Sequence, residues 1–310
     1  MGQLFWGRRA QWPQPACNAE RSTAGRQAEA LRRARPCVAP FTINAEGLLA
    51  NETKACAARF SAAAASYHAA AAVQRAVAAR LSALLARDKA PERILEIGCG
   101  TGLLTEHLCR LFPGTRIDAL DMAGGMVEQC RSRLGSKPGL HCRVTELSAF
   151  CPDAPYALIV SSAALHWLYP LGDFMAMAAS WLEHQGSLVF ALMVRGTLAE
   201  LHAARARVAP HKPPERYLPT ESDVHNALVQ AGLSIEGEWR ELQRETYASA
   251  EDFFRQLHNQ GVTSGPLARA GRLLNRSELL HLKHDYEKHY RHNGGVYANY
   301  RISYFRARKC

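Results

Sequence analysis

The segment Ile94-Leu95-Glu96-Ile97-Gly98-Cys99-Gly100-Thr101-Gly102-Leu103-Leu104 constrains this chain more than any other stretch. A run that reads as a buried strand enters three glycines at alternate positions, and helix formers follow. Glycine permits the tight turn, and its bare backbone lets a ligand lie against N–H groups at the helix start. The dinucleotide fingerprint G-x-G-x-x-G needs glycine at position 103, where this chain has Leu. That side chain would enter a packing point the dinucleotide fold keeps open, which argues against NAD and FAD. No Gly-Lys-Ser/Thr follows the glycines, so a P-loop is also disfavoured.

The surrounding pattern alternates strand and helix. Strands are expected at 93–97, 115–120, 141–144, 156–161 and 187–194, with helices at about 102–111, 125–134 and 173–183 between them. This alternation predicts an α/β fold: a doubly wound, Rossmann-like sheet, mostly parallel, with helices on both faces. Ala57–Ala86 is rich in Ala, Leu, Gln and Arg and reads as one long or two consecutive helices. Beyond Val194, helices are expected at 198–208, from the Thr220-Glu221 cap to 229, at 251–258 and at 277–290. Strands are expected at 235–245 and 296–305, the last of them antiparallel. The organisation expected is a basic leader (1–40), a helical segment (41–90), and a main domain (91–310) with cap insertions at about 196–220 and 246–292.

With 47% hydrophobic and 21% charged residues, the chain has material for a large core, and disorder is excluded. The net charge is +10. Residues 1–40 carry seven Arg against Glu20 and Glu29, with Pro13, Pro15, Pro36 and Pro40 among them. No apolar run follows these basic residues, so a secretory signal is not expected. A disordered extension, or a start assigned too early, fits better. Ala154–Val194 contains only Asp173 and Glu183 as charges, but Pro170 and Gly172 break it, and two buried strands flanking a helix explain it better than membrane spans. The nine cysteines are odd in number and form no C-x-x-C pair. They read as free thiols in a reducing cytoplasm, and no metal site is expected.

The E-x-G-x-G-x-G run resembles the signature of class I S-adenosylmethionine-dependent methyltransferases. In that family an acid ends strand two, where a carboxylate accepts hydrogen bonds from the ribose hydroxyls; Asp121 stands there, and Met122 beside it would pack on adenine. The resemblance makes Gly98, Gly100 and Gly102 the cofactor loop and puts Glu96 near the methionine end. It also puts Glu146 near the adenine amino group, and Ser161 and Ser162 at the methyl-transfer end. Bland alternatives remain for each: a packing turn for the glycines, a strand-end acid for Glu96, a solvated loop acid for Glu146, and helix capping for the serines. Strand four lacks an N/D-P-P-Y/F motif and a Pro-Cys nucleophile, so nucleic acid is disfavoured as a substrate despite the charge.

The chain is also similar to the malonyl-acyl carrier protein O-methyltransferases of biotin synthesis. The similarity begins at Arg59-Phe60-Ser61 through Tyr67, with Gln74 seven residues later, and includes Ser162-Ala163-Ala164-Leu165-His166-Trp167. It continues in Gly196-Thr197-Leu198-Ala199-Glu200-Leu201, Arg216-Tyr217-Leu218-Pro219 and Leu257-His258-Asn259-Gln260-Gly261. It closes with Asn275-Arg276-Ser277-Glu278-Leu279 and Tyr297-Ala298-Asn299-Tyr300. His68 and His166 depart from the family's usual Asp and Gln. The resemblance implies methylation of the free carboxylate of a malonyl thioester on acyl carrier protein or CoA, with S-adenosylmethionine as co-substrate and no metal. The carboxylate is itself the nucleophile, so no catalytic general base is expected. Arg195 and Tyr67 are the candidates to clamp it. Arg205, Arg207, Lys212, Arg269, Arg272, Arg276 and Lys283 on the cap would meet an acidic carrier. The competing readings are a methyltransferase of another small acid or quinone precursor, and a cofactor- or RNA-binding protein without activity.

Overall fold

The Ala-rich run forms two helices, α1 (Leu48–Ala70) and α2 (Ala72–Leu85), that part at Ala71 with neither Pro nor Gly at the break. The carbonyls freed there find other donors. The Arg75 guanidinium takes those of His68 and Ala69, and the Gln260 side-chain amide takes that of Ala70 at 2.8 Å. The computed structural model describes residues 48–212, 218–262 and 274–310, with side chains from Lys54 onward. The expected basic leader, together with Arg216, Tyr217, Arg269 and Arg272, lies outside the described residues.

Strands β1 (Arg93–Ile97), β2 (Arg116–Asp121), β3 (Leu140–Val144), β4 (Tyr156–Ser162) and β5 (Leu182–Met193) run parallel. Between them lie α3 (Leu103–Leu111), α4 (Gly124–Leu134) and α5 (Leu171–Trp181). The chain then adds α6 (Ala199–Val208), α7 (Glu221–Gln230), β6 (Leu233–Tyr247), α8 (Ala250–Asn259), α9 (Arg276–His289), β7 (Arg291–His292) and β8 (Gly295–Lys309). The sheet order is β3-β2-β1-β4-β5-β8-β6, with β7 paired to β8. β8 is antiparallel to both of its long neighbours, so the mostly parallel sheet with an antiparallel last strand is found as expected.

Alternation along the strands feeds two cores. Ile94, Val189, Ala191 and Met193 join α2, α3 and α4 on one face, where Phe253 of α8 and Leu282 of α9 also pack. Leu95, Ile97, Leu188, Phe190 and Leu192 join α5 and α7 on the other. The apolar stretch 154–194 thus becomes β4, α5 and β5, and no helix among the described residues is long and apolar enough to cross a membrane. Several boundaries differ from expectation: α1 starts at Leu48 and not Ala57, β8 runs on to Lys309, and β5 starts at Leu182, opposite Tyr156, and not near Ser187. Gln185 takes φ 63°, and a Cβ on Gly186 would lie 3.0 Å from the Tyr156 carbonyl. Glu183, His184 and Gln185 therefore bulge outward, and their polarity hides the strand start.

On the second face of β2, Asp118 is only 1% exposed and gathers Arg93 at 3.1 Å, Arg116 and Arg143 at 3.4 Å and the Tyr156 hydroxyl at 3.0 Å. Removing the carboxylate would leave these donors around an uncompensated pocket. Asp118→Ala is expected to cost about 3 kcal/mol in stability, the range for breaking a buried ion pair. The check is the urea midpoint, with the slope unchanged.

Candidate active site

The strand order reverses between β1 and β4: the chain moves outward through β2 and β3, then returns to β4 on the far side of β1. In an open α/β sheet such a switch point opens a crevice at the carboxyl ends of the strands, and the glycine loop lies there.

Each glycine of the loop answers a different need. All three have positive φ: 70° at Gly98, 54° at Gly100 and 85° at Gly102. A Cβ on Gly98 would collide with that of Ala164, and one on Gly102 would sit 2.8 Å from Cys130 Sγ. Those two positions let β4's extension and α4 approach closely. Gly100 differs, because nothing lies within 4 Å of its Cβ position. Its N–H donates to Asp121 Oδ2 at 2.9 Å, and the Ala123 N–H donates to Oδ1 at 2.8 Å. Burial raises the Asp121 carboxyl above its ordinary range, partly offset by backbone N–H groups of Ala123, Gly100 and Met122.

A small cleft opens beside Gly100. Tyr67, Gln74, Glu96, Gly98 and Ser162 contribute to its wall, with Cys99, Thr101, Leu103 and Leu104 from the loop and α3. Glu96 is 1% exposed, and its Oε2 has no hydrogen-bond partner. Burial pushes its carboxyl up to about 8, opposed by hydrogen bonds from Thr105. Tyr67 is raised as well, by burial and then by the charge of Asp121. A bare backbone facing open space and a buried carboxylate oxygen without a partner are features that a polar, partly cationic ligand would complete. Among the described residues, no cluster of His, Cys, Asp and Glu could hold a metal ion.

The predicted residues divide by strand alternation and by chain direction. Tyr67, Glu96, Gly98, Gly100 and Ser162 line the cleft, while Asp121 sits beneath the loop. Ser161 points the other way: it is fully buried, and its hydroxyl donates to the Ile97 carbonyl at 2.9 Å, tying β4 to β1. Gly102 starts α3 and packs on α4. Met122 is half-buried next to Asp121, and Glu146 is exposed at the start of a short 3-10 turn, Leu147–Ala149. Neither is part of the cleft wall.

Arg195 is exposed and is not brought to the cleft. Its N–H bonds to the Pro219 carbonyl, the chain turns at Gly196 with φ 97°, and its charge acts on Asp223 at the start of α7. His166 is buried, accepts from the Met193 N–H at 3.4 Å, and is held at about 3 by burial, so it is neutral packing. His68 is near Thr101 Oγ1 at 3.4 Å and is lowered by burial and by Arg133 and Arg75. Gln74, Cys99, Thr101, Leu103 and Leu104 are cleft residues that the motif reading did not single out as ligands. The signal available for Gln74 was its spacing of seven residues, two helical turns, from Tyr67, and both line the cleft.

Three of the expected cap cations serve the cap itself. Arg207 pairs with Asp285 at 2.6 Å, Lys212 with Glu278 at 2.6 Å, and Lys283 with Glu251. Arg276 is exposed, and Arg205 is half-buried near Glu278.

Residues 69–237 match a methyltransferase-domain family. The malonyl-(acyl-carrier protein) O-methyltransferase of Paenibacillus sp. (strain JDR-2) is 33% identical over 226 residues, which is 69% of this chain and 82% of that protein. The protein of the same description from Anoxybacillus flavithermus is 31% identical over 218 residues, 68% and 80% of the two chains. Among solved structures, a Bacillus halodurans C-125 protein described as a methyltransferase superposes with a TM-score of 0.54 at 15% identity, covering 75% of this chain and 98% of the other. That likeness shows the fold. The glycine loop at the switch point, the cleft above it and these relatives together place the chain in the malonyl-(acyl-carrier protein) O-methyltransferase family.

Proposed function

We propose that this chain transfers the methyl group of S-adenosylmethionine to the free carboxylate of a malonyl thioester carried by acyl carrier protein. The observation that carries the substrate is the 33% identity to a relative of that description over 82% of its length. The cleft supports the donor: Gly100 leaves space beside bare backbone, and Glu96 offers a buried oxygen in need of a partner. When bound, S-adenosylmethionine supplies an electrophilic methyl group on a sulfonium.

The chain's residues then have defined tasks. Asp121, oriented by the Gly100 and Ala123 N–H groups, accepts from the ribose hydroxyls. Glu96 serves the methionine end, Met122 and Glu146 the adenine, and Ser162 the transfer end. Gly98, Gly102 and Ser161 hold the loop and strand four in place. A malonyl carboxylate is ionised near pH 7, so the site has no proton to remove. Its work is orientation and exclusion of water. Tyr67 suits the clamp role, because its side chain lines the cleft and a phenol hydroxyl is a donor at working pH. The described parts of the segment 41–90 and of the insertions at about 196–220 and 246–292 are assigned to the substrate side. The reading places the enzyme in the reducing cytoplasm, which the odd number of cysteines without a C-x-x-C pair supports. The ester masks a charge, and the reaction calls for no metal.

Malonyl-carrier protein, malonyl-CoA and free malonate, each offered with the donor, test this reading. Methyl transfer to the carrier thioester is expected, and turnover of free malonate alone overturns it. Asp121→Ala is expected to weaken S-adenosylhomocysteine binding roughly 100-fold, the loss of two hydrogen bonds to a charged group. Gly100→Val is expected to abolish that binding, because a branched side chain at φ 54° would project into the cleft. Calorimetry reads both. Tyr67→Phe is expected to raise KM for the acyl substrate about tenfold with donor affinity unchanged, as one charge-assisted bond is lost. Equal KM values would remove Tyr67 from the clamp.

A further inference from the structure

The ribbon of β6 and β8 buries one face and leaves much of the other open. Tyr247, Tyr300 and Tyr304 turn into the core that α8 and α9 join, while on the second face α7 packs at the start of β6, on Leu233 and Ile235. Beyond that point the second face is exposed at Arg240, Leu242, Arg244 and Arg301. Register gathers these four. Leu242 lies directly opposite Arg301, and Arg240 and Arg244 stand two residues to either side of it along β6. Cross-strand and diagonal neighbours on one face are within reach of long side chains, so three guanidinium groups surround one leucine. A single exposed leucine is ordinary, but Leu242 is 60% exposed inside a ring of arginines, and arginine around an apolar centre is the composition of a protein interface.

Acids do not close this patch as they close the cap. Arg240 donates to Glu238 at 2.7 Å. Arg244 donates instead to the neutral Asn299 Oδ1 at 3.1 Å and lies over the Tyr297 ring at 4.5 Å. The Arg301 side chain runs along Gly196, where a Cβ would lie 2.7 Å from its Cδ. Neither Arg244 nor Arg301 forms an ion pair with a described residue. Position matters as much as charge. Arg301 adjoins the last β5–β8 pair, Met193 with Ile302, and its carbonyl accepts the Val194 N–H at 3.0 Å. The patch therefore stands at the carboxyl end of β5, the edge of the sheet on which the cleft opens. β4, which brings Ser162 to the cleft, and β6 are three strand spacings apart, about 14 Å. A free small acid has no use for a surface at that remove, whereas a substrate tethered by a flexible arm to an acidic protein does.

We propose that Arg240, Leu242, Arg244 and Arg301 form the docking face for the acyl carrier protein, meeting an acidic surface that lays an apolar side chain against Leu242. The inference rests on the carrier-thioester reading above and adds the place where the carrier sits: the outer face of the β6–β8 ribbon, and not the helical cap to which Arg207, Lys212 and Lys283 belong. The leucine at the centre favours a protein over a nucleic-acid backbone, which would offer phosphates and no apolar contact. Exposed charges of this kind act on encounter and partner choice, and salt weakens them.

Methyl-transfer kinetics with malonyl-carrier protein and with malonyl-CoA, which has the same arm without the protein, test the docking face. Arg244→Glu, Arg301→Glu and Leu242→Asp are each expected to raise KM for the carrier substrate about tenfold with kcat unchanged, through like-charge repulsion. KM for malonyl-CoA is expected to stay within twofold, and S-adenosylhomocysteine affinity within twofold reports that the variants are folded. Affinity for fluorescently labelled carrier protein, read by anisotropy, is expected to fall by the same factor, and added salt is expected to weaken it less in the double arginine variant than in the unaltered chain. If carrier KM and affinity are unchanged in all three variants, the docking face is overturned while carrier methylation stands. An equal rise in KM for malonyl-CoA also overturns it, because the arginines would then serve the arm's phosphate. If the unaltered chain methylates free malonate and not the carrier thioester, the proposed function itself falls.

Discussion

The site depends on one carbonyl. Leu120, paired with Ile97 where β1 and β2 end, accepts the N–H groups of both Gly98 and Cys99, at 2.8 and 2.9 Å. A carbonyl has two lone pairs, and here both hold the entry to the loop. The next residue along β2 is Asp121, so the acid arrives beneath Gly100 and takes its N–H. Loop and acid are thereby fixed against each other by backbone alone. The register of two parallel strands decides where a ribose-sized ligand would find its acceptor.

The segments outside the glycine loop on which the family resemblance rests act largely as fasteners. In Gly196-Thr197-Leu198-Ala199-Glu200-Leu201, the Thr197 hydroxyl bonds the backbone of Arg301 in both directions, and Glu200 holds Asn299. In Asn275-Arg276-Ser277-Glu278-Leu279, Asn275 and Glu278 form a reciprocal cap at the start of α9. Gln260 reaches the helix break, and the Ser66 hydroxyl donates to the Asn259 carbonyl. These bonds fasten α1, α6 and α8 to their neighbours. Three of the expected cap cations follow the same logic: Arg207, Lys212 and Lys283 pair with Asp285, Glu278 and Glu251.

Strand and helix order was legible because β1, β4 and β5 have clear apolar runs, and because Gly98–Gly102 and Gly135 punctuate the chain. The Thr220 cap was legible from its side chain and is formed with Asp223. Three things were not. The break at Ala71 carries no breaker residue, since its cost is met by Gln260, nearly two hundred positions away. The start of β5 is hidden by three exposed polar residues. The direction of Arg195 depends on a backbone bond to Pro219 that no local pattern encodes. At the candidate site, the glycines and Asp121 follow from spacing, whereas the fate of Ser161 and Ser162 turns on which face of β4 each occupies.

β8 is synthesised after β6 but lies between β5 and β6, with long antiparallel ladders to both. Until β8 emerges, β6 has no seat in the sheet and β5 offers an open edge of Val189, Phe190, Ala191 and Leu192. A nascent chain can assemble β1 through β5 as it appears, but insertion of the central ribbon must wait. The half-built protein therefore exposes a sticky flank during translation, and chaperone demand should be greatest in that interval.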